Sequence, residues 1–411
     1  MAREWRDSTW GDEISLEYRK GLRGYAETKG PVRVFGTNGP VGWTDEPLAP
    51  GPGIIVGRKG AYRGVHFSHE PFFVIDTAYY VVPKAELDMR WLYYAIIHYK
   101  LTELNDGSPI PSTTRAAVYV RDVKVPPIAE QQAIAEILGS LDDKIELNQR
   151  MNRALEKMAR ALFKAWFIDF QPIKAKANGA TRFLDIPQDV FDQLPDRFVE
   201  TELGHVPFGW DMVALSDVVK LIGGGTPKRK MADYWGGSIP WFSVRDAPKE
   251  HDVWVIETEE QITEAGVDNS SAKVMREGTT IISARGTVGR LALTAVPMAM
   301  NQSCYGIQGT DGVGDFFVYF IVYHAVVELQ QRTHGSVFDT ITRKTFDTLQ
   351  RVKPQKELLE AFETTVTPLL ELMRNNLYEN RVLARMRNTL LPKLILGELR
   401  VGENGEVNHG G

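Results

Sequence analysis

The chain repeats itself, and the repeat limits what it can fold into more than any other feature. Gly107-Ser108 recurs as Gly335-Ser336, a shift of 228 positions. The same shift carries Thr114-Arg115 onto Thr342-Arg343, Pro126 onto Pro354, Ala133 onto Ala361, Leu141 onto Leu369 and Asn148 onto Asn376. It continues without a gap through Asn152-Arg153 onto Asn380-Arg381, Leu155 onto Leu383, Met158 onto Met386 and Leu162 onto Leu390. A fixed long period marks a duplicated structural unit, so the architecture has to be read as two copies. Upstream the copies are related more loosely. Ile54 to Gly64 resembles Ile281 to Gly289 with one residue inserted in the first copy, and the strand-like stretches Phe73 to Val81 and Met300 to Ile307 follow. The order is variable unit, similar unit, variable unit, similar unit.

The similar units carry a heptad seam. Ile134, Leu138, Leu141, Ile145, Asn148, Asn152, Leu155, Ala159, Leu162 and Trp166 are spaced alternately by four and three, which is the coiled-coil period. The shifted positions are Phe362, Val366, Leu369, Met373, Asn376, Asn380, Leu383, Arg387, Leu390 and Leu394. A helix from Ile134 to Trp166 is about 48 Å long at 1.5 Å per residue. Alone, each helix would expose an apolar stripe, so the two are expected to pair antiparallel. Leu141, Ile145, Asn148, Asn152, Leu155 and Leu162 would face Leu369, Met373, Asn376, Asn380, Leu383 and Leu390. Buried amides at 148, 152, 376 and 380 would fix the register; facing solvent or a third helix is the alternative. Both helices start just after prolines, Pro126-Pro127 and Pro354, as helices commonly do. Pro368 is expected to bend or restart the second, because an interior proline removes a backbone hydrogen bond.

The variable units read as mixed α/β. Val32–Gly36, Gly53–Gly57 and 278–283 are short apolar runs bounded by glycine and proline, hence strands between tight turns. Helices are expected near Met89 to Leu104 and Asp315 to Gln331. The stretch 171–209 holds Pro172, Pro187, Pro195 and Pro207 with little periodicity, as a linker would.

Familiar catalytic patterns are missing. Gly223 to Lys230 lacks the order of a phosphate-binding loop, and the glycines of Gly36 to Gly42 are spaced G-x2-G-x2-G instead of G-x-G-x2-G. No Asn/Asp-Pro-Pro-aromatic tetrapeptide and no Gly-x-Ser-x-Gly elbow occur. Pro195-Asp196 with Glu200 and Glu202 looks like linker and not like a nuclease carboxylate cluster. His66, His69, His98, His251, His324 and His334 show no metal-ligand spacing. The single cysteine, Cys304, cannot form an internal disulfide, and no apolar leader or membrane-length run is seen. A cytoplasmic, non-enzymatic binder without cofactor or metal is the expectation.

Three basic clusters suit nucleic acid: Arg58-Lys59-Gly60-Ala61-Tyr62-Arg63, Thr226-Pro227-Lys228-Arg229-Lys230 and Ser283-Ala284-Arg285-Gly286-Thr287. Arginine and lysine neutralise phosphates and grip guanine edges, threonine and asparagine reach phosphate or base edges, and glycine allows close approach. Thr37, Asn38 and Arg245 join them as candidates. Against this stands a net charge of -5. Residues 1–106 hold 13 Lys+Arg against 14 Asp+Glu, and residues 200–334 hold 11 against 17. Any DNA site must therefore be made of local patches.

Over nearly its whole length the chain resembles the DNA-specificity subunit of Type I restriction-modification systems. The resemblance rests on Leu203-Gly204-His205-Val206-Pro207-Phe208-Gly209-Trp210, Gly223-Gly224-Gly225-Thr226-Pro227, Tyr234-Trp235-Gly236-Gly237-Ser238-Ile239-Pro240-Trp241 and Gly36 to Gly42. Ala165-Trp166-Phe167-Ile168-Asp169-Phe170, Pro195-Asp196-Arg197-Phe198 and Leu390-Leu391-Pro392-Lys393-Leu394 add to it. The N-terminal opening around Trp5 to Glu13 departs from the Leu-Gly-x-x-Pro-x-Gly-Trp pattern. The resemblance implies two α/β target recognition domains, 1–127 and 203–355, separated by two long antiparallel coiled-coil helices, 128–170 and 356–397, with a linker at 171–202 and a tail at 398–411. It implies a chain without catalysis of its own. Each recognition domain would read half of a split double-stranded DNA target, while the helices space the domains and dock two modification (methyltransferase) subunits. Restriction subunits would join them, with S-adenosylmethionine and ATP with magnesium bound by those partners. A helix-pair scaffold without DNA readout and a fused restriction-modification enzyme are the competing readings.

Overall fold

The computed structural model describes residues 5–19, 21–104, 111–201, 204–248, 252–310, 312–332, 340–401 and 407–409. Met1 to Glu4, Gly107-Ser108, Glu202, Leu203, His251, His334 and Gly335-Ser336 lie outside the described residues. The chain divides into two compact units, one built from 1–145 with 381–411 and the other from 146–380.

In the first unit a four-stranded antiparallel sheet has the order Ile14–Glu17, Ala78–Pro83, Gly53–Gly57, Val65–Ser68. The sequence Gly-Ile-Ile-Val-Gly of the Gly53–Gly57 strand is buried throughout, as a strand covered on both faces requires. A smaller sheet sets Val32–Gly36 antiparallel to Gly39–Thr44 and parallel to Phe72–Val74. The helix Met89–His98 starts where Asp88 accepts from the Arg90 and Trp91 amides, which satisfies two donors that the first turn leaves open. It is shorter than the sequence predicts. Lys100 takes a positive φ of 51° just past its end, a left-handed residue of the kind that ends helices. Trp10, Ile54, Val56, Trp91 and Tyr94 form one core with Ile134, Leu138, Leu394 and Ile395 of the two long helices.

The second unit repeats this plan. Its sheet runs Val219–Gly223, Cys304–Gly309, Thr280–Ser283, Leu291–Thr294, with Trp254–Val255 added in parallel at the edge. The small sheet again combines antiparallel and parallel neighbours, Gln261–Ile262, Trp235–Phe242 and Ala299–Met300. The two-stranded ribbon of Arg6–Thr9 with Asp122–Val125 recurs as Asp211–Ala214 with Gln350–Lys353. Phe163, Trp166, Phe167, Phe317, Phe320 and Phe362 pack into one aromatic core, most pairs edge-on or tilted with centroids 5.0–6.5 Å apart.

The long helices span Ile128–Phe163 and Lys356–Ile395. Pairing within each unit is antiparallel. In the second unit Asn148 Nδ2 donates to Asn380 Oδ1 at 2.9 Å and Asn376 Nδ2 to Asn152 Oδ1 at 2.8 Å, while Phe163 packs on Phe362. In the first, Arg387 donates to Asp142 and Arg400 to Glu130. The seam amides thus pair across the helices, and Asn148, Asn152 and Asn376 are buried. Leu155 and Met373 are buried with them; Leu141, Ile145, Leu162, Leu369, Asn380, Leu383 and Leu390 are half-buried. At one step the seam runs through Leu370, fully buried, and not through Leu369.

Two expectations change. The second helix does not restart near Pro368, because it is one 40-residue helix. Pro368 and Thr364, whose carbonyl the ring leaves without its amide, are both exposed, so water can satisfy that carbonyl. The segment expected to be a linker contains the helices Gln171–Ala177 and Gln188–Gln193, and Ile173, Val190, Phe191 and Leu194 are buried in the second unit's core.

Candidate nucleic-acid interface

In the first unit two chain reversals lie side by side. Gly57 donates to the Gly64 carbonyl at 2.8 Å, closing the loop between two strands, and Gly64 donates to the Thr37 carbonyl at 2.9 Å. That bond ties the loop to the turn Thr37-Asn38. A third contact comes from Thr113, whose amide donates to the Arg58 carbonyl at 2.8 Å, and Gly60 at φ 114° donates to Pro111. A β-carbon at Gly57 would stand 2.4 Å from the Thr37 carbonyl oxygen, so only glycine allows the two reversals to touch.

The structure divides the candidate side chains into two kinds. Arg63 donates to the carbonyls of Thr102, Gly60 and Leu104 at 2.6, 3.0 and 3.0 Å. Arg58 donates to Asp76 O at 3.1 Å and lies over the rings of Tyr18 and Tyr79 at 4.2 and 5.3 Å. These two arginines hold the loop in shape. Asn38, Lys59 and Tyr62 are exposed, Tyr62 by 80%. Asn38 and Tyr62 line an open concavity of about 530 Å³ together with Gly64, Thr102 and Glu103.

The second unit builds the same feature. Ser283 donates to the Arg290 carbonyl, Ala284 to Ser303 and Ile341 to Ala284, at 2.9, 2.7 and 2.9 Å. These match, one for one, the bonds from Gly57 to Gly64, from the Arg58 amide to the Thr77 carbonyl at 2.9 Å, and from Thr113 to Arg58. The strand registers agree: Ile55, Val56 and Gly57 pair with Tyr80, Tyr79 and Ala78, as Ile281, Ile282 and Ser283 pair with Gly306, Tyr305 and Cys304. The offset here is 226, and the loops are equally long. The one-residue insertion expected from the sequence is therefore absent; matching Ile54-Ile55 to Ile281-Ile282 is one residue out of register. In the corrected register Lys59 corresponds to Arg285, and their backbones form matching bridges to Ser112 and Thr340. Gly60 corresponds to Gly286, both at positive φ, and Ala61 to Thr287. Ile75 donates to Phe35 O and Asn301 to Phe242 O, so Asn38 and Arg245 both stand three residues past the matching acceptors on the same strand.

Arg245, Arg285 and Thr287 are exposed, as are Lys228, Arg229 and Lys230. Arg229 forms a two-pronged ion pair with Glu260 and lies 3.9 Å from the Trp235 ring centroid. Its hydrogen bonds hold the Glu260 carboxyl below the usual carboxylate range. Thr226 hydrogen-bonds Gln302. Gly225 explains part of the glycine run ahead of it, because a β-carbon there would lie 2.2 Å from the Ala272 amide nitrogen. Arg290 is exposed at the position of Gly64, and sequence alone passed it over; the corrected register is the signal that finds it. Exposed cations on glycine-shaped loops, beside amide and hydroxyl groups, are the kinds of group that pair with phosphate and base edges. Among the described residues no three His, Cys, Asp or Glu side chains are placed to share a metal ion, and no helix is long and apolar enough to cross a membrane.

The family model for the Type I restriction modification DNA specificity domain matches residues 24–157 and again 207–364. The chain is 26% identical over 375 residues to the Type I restriction enzyme HindI specificity subunit of Haemophilus influenzae, covering 80% of this chain and 81% of that one. It is 26% identical over 331 residues to the MjaIX specificity subunit of Methanocaldococcus jannaschii, covering 79% and 72%. The crystal structure of a Type I restriction-modification S subunit from M. genitalium shares the fold with a TM-score of 0.61 at 16% identity, covering 95% of this chain and 96% of that one. The two matched segments each contain one of the paired loops, and the duplication of the fold coincides with the duplicated domain: the chain belongs to the Type I restriction-modification DNA-specificity family, as a specificity subunit with two recognition domains.

Proposed function

We propose that each recognition domain reads one half of a bipartite, asymmetric double-stranded DNA target through the paired loops. The first domain uses Asn38, Lys59 and Tyr62, with Thr37, Arg58 and Arg63 shaping the loop. The second uses Arg245, Arg285, Thr287 and Arg290, flanked by Thr226, Lys228, Arg229 and Lys230. One observation carries this reading: the same loop is built twice, by matching backbone hydrogen bonds, and its outward side chains differ between copies. A conserved frame with variable tips suits two domains that read different bases.

The paired helices set the distance between half-sites. The central helix has 36 residues, about 54 Å, which matches roughly 16 base pairs at 3.4 Å each. The helices also carry the docking surface for two modification subunits. Val382 and Met386 stand at i and i+4 on one helix face and are exposed by 54 and 47%, an apolar stripe that favours a protein partner. Restriction subunits join that assembly in the cytoplasm. S-adenosylmethionine and ATP with magnesium belong to those partners and the chain itself is not an enzyme. The test is modification mapping of a genome that carries this subunit with its partners, before and after exchange of residues 210–334. A change confined to one half-site supports the reading; an unchanged map favours a scaffold that does not read DNA.

A further inference from the structure

Where the helix Met89–His98 meets the two long helices in the first unit, the junction is polar. Tyr94 donates its hydroxyl to Asp142 Oδ2 at 2.7 Å, and Arg387 Nη1 donates to Asp142 Oδ1 at 2.6 Å. Asp142 thereby joins three elements, the helix of the recognition domain, the central helix and the C-terminal helix. Beside it Arg90 donates to both Asp143 oxygens and to the Gly139 carbonyl, at 2.9, 2.5 and 3.0 Å. The Asp142 and Arg387 side chains keep 22% and 30% of their exposure, so water reaches the edge of the cluster.

The second unit places apolar residues at the three matching positions, although polar groups join the same helices elsewhere: Arg160 donates to the Tyr323 hydroxyl at 2.8 Å, and Glu363 accepts from the Phe316 and Phe317 amides. The offset of 226 that aligns the strands also aligns the starts of the helices Met89–His98 and Asp315–Arg332, and it places Phe320 where Tyr94 stands. The offset of 228 in the long helices places Leu370 at Asp142 and Ala159 at Arg387. Phe320, Leu370 and Ala159 are all fully buried in one apolar core. At these three positions the joint thus exists in an apolar form and a hydrogen-bonded form on the same backbone plan. The apolar form shows that the same backbone plan can be packed without this trio, and buried polar clusters are often neutral or costly next to apolar packing of the same volume. What hydrogen bonds to an ion add is direction, because they weaken steeply away from one geometry while apolar contact does not.

We infer that Asp142 is a positioning residue: through Tyr94 and Arg387 it fixes the angle at which the first recognition domain is held on the helices, and so fixes the length of the unread gap between half-sites. The inference rests on the bipartite reading above. It makes Tyr94 and Arg387 determinants of spacing, although neither lies on a recognition loop.

The experiment uses the complex of the full chain with its modification subunits and a DNA library in which the gap length varies. Tyr94→Phe removes one hydrogen bond with almost no change in shape. The triple exchange Tyr94→Phe, Asp142→Leu, Arg387→Ala installs the second unit's residues, so a variant that folds is available even if Asp142→Ala does not. Thermal unfolding of each variant is followed alongside. The expected result is unchanged half-site bases with methylation at gaps one base pair longer or shorter raised about tenfold, the factor that loss of one charge-assisted hydrogen bond gives. A single unaltered gap length in both Tyr94→Phe and the triple exchange overturns the inference, and so does a change in the bases read. If the wild-type complex modifies no two-part sequence at all, it is the bipartite reading beneath that fails.

Discussion

Lys59 and Arg285 occupy one point of one loop in two copies, and among the described residues neither side chain helps to hold that loop together. The neighbouring Arg58 and Arg63 do hold it, through carbonyls and tyrosine rings. Residue type alone could not separate the two roles, because all four are cations in a glycine-rich run; only the hydrogen-bond partners do. Arg285→Ala in the assembled complex is expected to cost about 1–3 kcal/mol of specific binding and to relax preference in one half-site only, as competition with duplexes scrambled in either half would show. A second residue makes a prediction about pH. Glu363 accepts from the Phe317 and Phe316 amides at the start of the helix Asp315–Arg332, and burial pushes its carboxyl up to about 7. A folded-state value raised above the unfolded one gives stability that is fully present below about 4.5 and is lost as pH rises through about 7. Glu363→Gln keeps an acceptor and cannot ionise. It should therefore gain on wild type between pH 5 and pH 8 by up to about 3 kcal/mol, measured by denaturant unfolding at both values.

The helices were the most legible elements, because an ungapped offset of 228 and a sustained heptad leave few alternatives to a pair of long helices. The strands were less so. Each is only a few residues long, and a one-residue misalignment between Ile54-Ile55 and Ile281-Ile282 cannot be seen without the pairing partners Ala78 to Tyr80 and Cys304 to Gly306. Pro368 misled for a related reason, since its effect depends on whether it faces water or a partner. In the helix pair, Asn152 and Asn376 are buried and bonded to each other. Asn152→Leu leaves a buried amide without its partner and is expected to cost about 1–3 kcal/mol, while the double exchange to leucine recovers most of it. A double-mutant cycle on thermal unfolding measures the coupling. Four residues inserted after Leu155 add about 6 Å of helix, close to 2 base pairs. The preferred gap should lengthen or recognition should be lost; an unchanged target would contradict the spacing role.

At the scale of the whole molecule the duplication decides the architecture and the asymmetries within it decide what each half does. The repeat of the recognition frame could be read from the sequence, as could the basic loops. The contrast between Tyr94-Asp142-Arg387 and Phe320-Leu370-Ala159 could not, because its members lie far apart in the chain; Arg387, a charged residue in a seam of apolar and amide side chains, was its trace. On the proposed function, the net charge of -5 leaves much of the phosphate neutralisation to partner subunits. Binding of the isolated chain should accordingly be weaker than that of the complex and less steeply dependent on salt, as titrations at several salt concentrations would show. The central claim, that two differently tipped copies of one loop read two half-sites at a fixed distance, is tested most directly by mapping methylated bases in DNA modified by the complex, with wild type and Arg285→Ala side by side. The prediction is one two-part sequence with an invariant gap, in which Arg285→Ala relaxes one half and leaves the other intact. A contiguous target, or equal loss in both halves, would contradict it.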